Sequence, residues 1–366
     1  MEIQTNAPQT VIFRNADSFF RYCGWPSVCR DDEGVLYAAC SGFRLAHICP
    51  FGKTLLFKSF DNGKTWSVPM VVNDTWLDDR DVGLLYLGGK TILLTWFSHP
   101  VEKYLEWRDT MPAGCGSILD MYPTIPEEMS RGGSFVRVSH DGGLTWGKTV
   151  QVPVSSPHGP ALLSDGSLLY LGKEMYAEDG LEKNAVAAYK SCDHGMSWTR
   201  LSVLPKPAED PWTPYDEPHQ IELADGRILG GMRWEKQDDA TDPCIRLTWS
   251  ADGGKSWSPA RPCGLEGNRF TPPHFIRHSS GALIMTYGRR EAPHGERAAV
   301  SYDNGESWPE EYILFEDLTH SEWDLGYAAT VELSDGSLLT VYYQPYGEDE
   351  FPSLLCSHWQ LANAGK

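Results

Sequence analysis

Side chains able to hold, donate or accept a proton recur at fixed distances along this chain. Asp81, His158, Glu217, His219, His274 and Tyr327 stand seven to nine positions ahead of one of six glycines, at 34, 89, 166, 226, 281 and 336. Arg80 shares the position before Asp81. Arg44 with His47, Arg233, and the pair Arg289 and Arg290 follow the same glycines by seven to thirteen positions. A guanidinium is suited to a bidentate grip on a carboxylate. An imidazole, with an ordinary pKa near 6.5, can serve as general acid or base. His158, His219 and His274 begin consecutive units at nearly the same depth, a spacing compatible with a zinc-like ion. A metal is nonetheless not the favoured reading of these histidines, and neither metal nor cofactor is expected.

The elements that must position these residues are two interleaved repeats. Each of the six glycines closes a turn between apolar, strand-like runs, as in DDEGVLYAAC, LSDGSLLYLG and LSDGSLLTVYY, and reads as a hairpin. The second motif, S-x-D-x-G-x-[ST]-W, occurs five times, at 59–66, 139–146, 191–198, 250–257 and 301–308. From turn glycine to motif aspartate the distances are 27, 52, 27, 26 and 22 residues. Six units of short strands predict an all-β fold, a six-bladed propeller with four-stranded antiparallel blades, as one domain over 1–366. The sixth unit lacks its motif, so TVIFRN near the N-terminus is expected to supply its outer strand and close the ring.

In a four-stranded meander both turn types lie on one rim. The opposite rim is then built from residues entering the first strand and leaving the second, which are the acids, bases and arginines above. Blade two carries an excess of residues near 99–131, and long ordered insertions in compact domains are usually functional. It is expected to cover that same face.

The 366 residues include 31 basic and 50 acidic side chains, a net charge of −19 that argues against nucleic acid or an anionic membrane as partner. No run of 18 apolar residues exists to span a bilayer. The start, MEIQTNAPQT, has no basic stretch followed by an apolar one. The nine cysteines, Cys244 among them, are odd in number and form no C-x-x-C pair. They read as reduced structural thiols in a cytoplasmic protein.

The repeats and the segments around them resemble the sialidase (BNR/Asp-box) superfamily over essentially the full length. That resemblance implies a fold-forming role for the five motif aspartates, remote from any active site. DEPHQIELADGRILGGMR is similar to the family segment that places Glu217 as base and Arg233 in an anion clamp. LGYAATVELSDGSLLTVYY is similar to the segment bearing the nucleophilic tyrosine, here Tyr327. A further clamp arginine would be Arg289, Arg290 or Arg297. Sialidases differ from most glycosidases in using a tyrosine in place of a carboxylate nucleophile.

Two positions depart from the pattern. Where the family has R-I-P, this chain reads Gly24-Trp25-Pro26, leaving Arg21 or Arg44 as the substitute arginine. The stretch SGFRLAHICPFGK, where the acid/base aspartate belongs, contains no acid; His47 occupies it, and Asp79 or Asp81 could reach inward instead. The resemblance therefore implies an exo-acting glycoside hydrolase cleaving a terminal, acidic sugar from a glycan, with His47 or Asp81 as acid/base and Arg44, Arg80, Arg233, Arg289, Arg290, His158 and His219 binding substrate. The alternatives are histidine chemistry on another sugar, as in rhamnosidases or uronate lyases, and a carbohydrate-binding propeller without catalysis.

Overall fold

Strands of two to nine residues alternate with tight turns through most of the chain, and in the computed structural model they assemble into six sheets arranged as a ring. The structure describes residues 1–5, 7–176, 180–235, 245–267, 270–317, 320 and 324–362; Cys244 lies outside them. The inner and second strands of the six blades are Tyr22–Arg30 and Leu36–Arg44, Arg80–Gly88 and Thr91–Ser98, Ala161–Leu162 and Leu168–Lys173, Tyr215–Glu222 and Ile228–Trp234, His274–Arg277 and Leu283–Arg289, Gly326–Glu332 and Leu338–Pro345. Every blade is an antiparallel meander.

The ring closes through the N-terminus. Gln9–Phe13 runs antiparallel to Pro352–Trp359 as the outer strand of blade six, with Gln9 opposite Ser357. One further strand was not foreseen: Glu2–Gln4 pairs in parallel with the outer strand of blade five, Glu310–Asp317. A three-residue segment without apolar alternation gives no strand signal in isolation. Both pairings cover sheet edges that would otherwise be open.

The S-x-D-x-G-x-[ST]-W motif explains itself once folded. In the first copy Ser59 Oγ donates to Asp61 and accepts from the Gly63 amide at 2.8 Å, while Asp61 accepts from the Thr65 amide at 2.9 Å and its hydroxyl at 2.6 Å. These bonds hold the Asp61 carboxyl down at about 2. Trp66 donates its indole N–H to Gly63 O at 3.1 Å, folding the ring over the turn. The other four aspartates, Asp141, Asp193, Asp252 and Asp303, repeat the serine and threonine contacts. Gly63 sits against Leu339 of the neighbouring blade, where a Cβ would collide, so the glycine is set by close approach as well as by its φ of 79°. None of the five turns lines the cavity described below.

Apolar clusters fill the spaces between adjacent blades, such as Val28, Leu55 and Phe57 of blade one with Leu339 and Val341 of blade six. The insertion in blade two folds into short helical pieces, including Val101–Glu106, Gly116–Leu119 and Glu127–Ser130. Its core of Val101, Tyr104, Leu119 and Tyr122 closes on Leu77. Cys115 packs with Cys49 and Leu45 on the loop that carries His47. The eight described cysteines are all free thiols. No described helix is long and apolar enough to cross a membrane.

Candidate active site

The same backbone device aims the key side chains in four blades. Trp25, Asp81, Glu217 and Tyr327 all have φ between 51° and 53°, the left-handed region that non-glycine residues seldom occupy. In each case the ladder between first and second strand shifts register there, between Gly24 and Ser27, Arg80 and Gly83, Asp216 and His219, Gly326 and Ala329. A bulge of this kind re-aims a side chain that the pleat would otherwise direct elsewhere. Each such residue costs roughly 1–3 kcal/mol of backbone strain, which the surrounding sheet must offset. His158 in blade three has a φ of 67°. In blade five the corresponding stretch is Pro272-Pro273, whose rings forbid positive φ.

The bulges open onto a cavity of about 460 Å³ at one mouth of the ring. Trp25, His47, Arg80, Asp81, His99, Lys173, Asp216, Glu217, Arg233, Glu235, Arg290 and Tyr327 contribute to its walls. Tyr327 donates its phenolic hydroxyl to Glu217 Oε1, and Arg233 Nη1 donates to Glu217 Oε2 at 3.0 Å. Arg233 also reaches Glu235. Burial, followed by the Glu217 charge, raises the Tyr327 phenol well above its usual value, so it keeps its proton at rest. Arg290 projects from blade five, donating through Nε to Leu325 O at 3.0 Å and through Nη2 to Tyr343 Oη at 2.8 Å.

Asp81 is buried, and its Oδ1 has no hydrogen-bond partner. Burial raises its carboxyl to about 7, with Glu217 adding to the shift and Arg80 opposing it. His47 is held from behind: its Nδ1 lies 3.0 Å from Asp324 Oδ1 and 3.1 Å from Tyr22 Oη. A carboxylate can only accept, so Nδ1 carries the proton and Nε2 keeps its lone pair. Burial lowers the His47 pKa against the pull of Asp324. Asp324 collects Tyr22 Oη at 2.9 Å and Tyr343 Oη at 2.8 Å as well. Burial would raise this carboxyl, but the bonds and the His47 and Arg290 charges hold it at about 2.

Several expected residues fall elsewhere. Arg44 is fully buried and does not line the cavity; it forms a two-point ion pair with Asp78 and donates to His47 O at 3.0 Å. Arg80 is the guanidinium that faces the cavity beside Trp25, 4.0 Å from the ring centre, with Arg44 at 4.6 Å. Arg21 lies over Phe351 and points toward Glu350. Asp79 turns to Thr75, accepting its hydroxyl at 2.7 Å. Of the three arginines considered for blade five, Arg290 reaches the cavity. Arg289 faces Glu291 at 3.5 Å, and Arg297 is buried against Phe315 O and Glu316. His158 and His219 lie deeper in the axial channel and line a different cavity with His274. Among the described residues no group of three or more His, Cys, Asp or Glu is arranged to hold a metal ion.

Asp324, Asp216 and Asp78 are the acids that sequence reasoning missed. Asp324 lies three residues before Tyr327, in a segment read only for its tyrosine. Asp78 belongs to the acidic run WLDDRD, in which Asp79 and Asp81 drew attention instead. Asp216 precedes Glu217, accepts the Glu217 amide at 3.0 Å and pairs with Lys173 at 3.2 Å.

The fold has solved counterparts. A Dyadobacter fermentans protein of unknown function superposes with a TM-score of 0.75 at 20% identity, over 98% of each chain. An intramolecular trans-sialidase from Ruminococcus gnavus, in complex with oseltamivir carboxylate, gives 0.67 at 16% identity over 96% of this chain and 97% of that one. An α-L-arabinanase from Penicillium chrysogenum, complexed with arabinobiose, gives 0.60 at 15% over 98% and 99%. No family model matches the chain, and no curated protein matches it. At these identities the likeness establishes a sialidase-like propeller shared with glycoside hydrolases.

Proposed function

We propose that this protein is an exo-acting glycoside hydrolase that removes a terminal acidic sugar from a glycan through a tyrosyl intermediate. The observation that carries the reading is the Tyr327–Glu217–Arg233 chain of hydrogen bonds at the wall of the cavity. Tyr327 Oη attacks the anomeric carbon while its proton passes to Glu217 Oε1, which is already in contact. Asp81, with a pKa of about 7, holds a proton near neutrality and delivers it to the departing glycosidic oxygen. In the second half, the Asp81 carboxylate takes a proton from water, the hydroxide adds to the sugar, and Tyr327 leaves and recovers its proton from Glu217.

Charge supports an anionic substrate. Four cations, Arg80, Lys173, Arg233 and Arg290, face four carboxyl groups in the cavity, and burial leaves one of these, Asp81, partly protonated near neutrality. The local balance is thus positive within a chain of net charge −19. Arg290 and Arg80 are the clamp; Arg80 reaches in from blade two past the tryptophan that stands where the family places its first arginine. The His47 Nε2 lone pair accepts a sugar hydroxyl.

A second reading rests on the His47–Asp324 pair. An imidazole whose Nδ1–H is fixed on a carboxylate is a competent base, which would suit elimination from a uronate. An unsaturated product absorbing in the ultraviolet separates the two.

The deciding experiment is turnover of a panel of aryl glycosides of acidic sugars, aryl α-sialosides included, by the wild-type chain and Tyr327→Phe. Release of the aryl group by the wild type and binding without release by the variant support the proposal. Equal hydrolysis by Tyr327→Phe overturns it, and binding of intact substrate by both proteins marks a carbohydrate-binding propeller.

A further inference from the structure

The axial channel has a second mouth on the rim of the turns, where a cavity of about 400 Å³ is lined by the first strands of all six blades. His158, His219 and His274 form its inner end. The rings of His219 and His274 are stacked, with centres 4.6 Å apart. Each accepts a backbone amide of the next blade through Nδ1, from Phe275 at 3.0 Å and from Thr330 at 3.3 Å. An amide can only donate, so both neutral rings carry their proton on Nε2. That tautomer leaves no lone pair for a metal ion and makes both rings donors.

No described residue accepts either Nε2–H. His158 stands edge-on to both rings, 4.9 Å from His274 and 5.7 Å from His219. It is 2% exposed, and neither of its ring nitrogens has a partner. Arg30 and Arg277 line the wall, and neither pairs with a carboxylate among the described residues; the buried Nε of Arg30 also has no partner. The one carboxyl of the lining, Glu332, is turned to the Ser279 amide at 2.8 Å and to His278 at 3.5 Å. Unmet buried donors such as those of His158 and Arg30 cost about 1–3 kcal/mol each, so this wall favours a guest rich in acceptors.

We propose that this second mouth binds a small oxyanion, a carboxylate or a phosphate, with its oxygens on Nε2 of His219 and His274 and on the His158 ring N–H. Its charge lies toward Arg30 and Arg277. The site is separate from the Tyr327 cavity and does not depend on the reaction proposed there.

The test is nitrogen-detected NMR of the histidine rings in the intact protein, titrated separately with inorganic phosphate and with succinate. His219→Gln and His274→Gln assign the resonances. A saturable shift of both Nε2 signals at millimolar anion is expected, weakened roughly tenfold by the double variant Arg30→Gln/Arg277→Gln and unchanged by Arg290→Gln. Saturation by one anion alone identifies which oxyanion the site takes. The proposal is overturned if neither anion gives a saturable shift, or if the double variant, folded by circular dichroism, responds like the wild type. A response to zinc without one to either anion overturns it too.

Discussion

Tyr327 of blade six and Glu217 of blade four meet hydroxyl to carboxylate across the intervening blade, and each stands in the left-handed region nine residues ahead of its turn glycine. Two copies of one structural unit thus supply the donor and the acceptor of one hydrogen bond. If Glu217 receives the phenolic proton, Glu217→Gln should lower kcat by about 10²–10⁴ with little change in KM, since an amide keeps the shape but cannot take the proton. Steady-state kinetics on an aryl glycoside reads this directly. A proportional rise in KM with unchanged kcat would assign Glu217 to binding only.

In the proposed reaction Asp81 should set the alkaline limb of the pH profile. Its carboxyl is raised to about 7 by burial, and the form that donates to the leaving oxygen is the protonated one. The rate of the first step should therefore fall about tenfold per pH unit above that value. Asp81→Asn should remove this limb, and its rate loss should be smaller for aryl groups that leave readily. The linkage has a definite sign. A carboxyl whose pKa is higher folded than unfolded contributes stability below its unfolded pKa and loses it as pH rises through about 7. Asp81→Asn should consequently raise the thermal midpoint at pH 8 and leave it nearly unchanged at pH 4.

The fold was legible because its signals are local. The Ser, Asp, Gly and second Ser or Thr of each motif bond within eight residues of one another, so their spacing survives in the sequence as a pattern. The rim that carries the site followed from the parity of a four-stranded meander. Glu217, Tyr327, Asp81 and Arg233 stand out by their distance from the turns, and the family resemblance gave Glu217, Tyr327 and Arg233 their expected roles. What could not be read was the division between Arg44 and Arg80, because both sit at positions where an arginine is unusual. Asp78 decides it, and Asp78 lies 34 residues from Arg44. The parallel pairing of Glu2–Gln4 with blade five rests on a contact across more than 300 residues and has no local signature.

Asp324 is expected to act through His47, whose Nδ1 it holds at 3.0 Å. Replacing it with Asn removes the negative charge that opposes the effect of burial, so the His47 pKa should fall further below its present value. Proton NMR of the imidazole should show that fall, together with a rise in KM for substrates carrying the hydroxyl that His47 accepts. An Asp324→Asn protein with an unmoved imidazole titration and reduced stability alone would make this carboxyl a packing element of the Tyr22–Tyr343 wall.

Arg44 and Arg80 should separate cleanly under mutation. Arg44 and Asp78 are both fully buried, and the arginine has its guanidinium committed to that carboxylate, to Ser41 and to the His47 carbonyl. Removing one member of such a pair leaves a buried charge uncompensated, at a cost of about 3–5 kcal/mol. Arg44→Met should therefore show a marked fall in the denaturant midpoint. Arg80 makes a longer contact to Asp78 at 3.4 Å, donates to His47 O at 3.1 Å and lines the cavity. Arg80→Gln should leave most of the stability in place and raise KM for an acidic sugar, while its neutral analogue is affected far less. The comparison of the two substrates carries the weight, because a general loosening of the loop at His47 would raise KM for both alike.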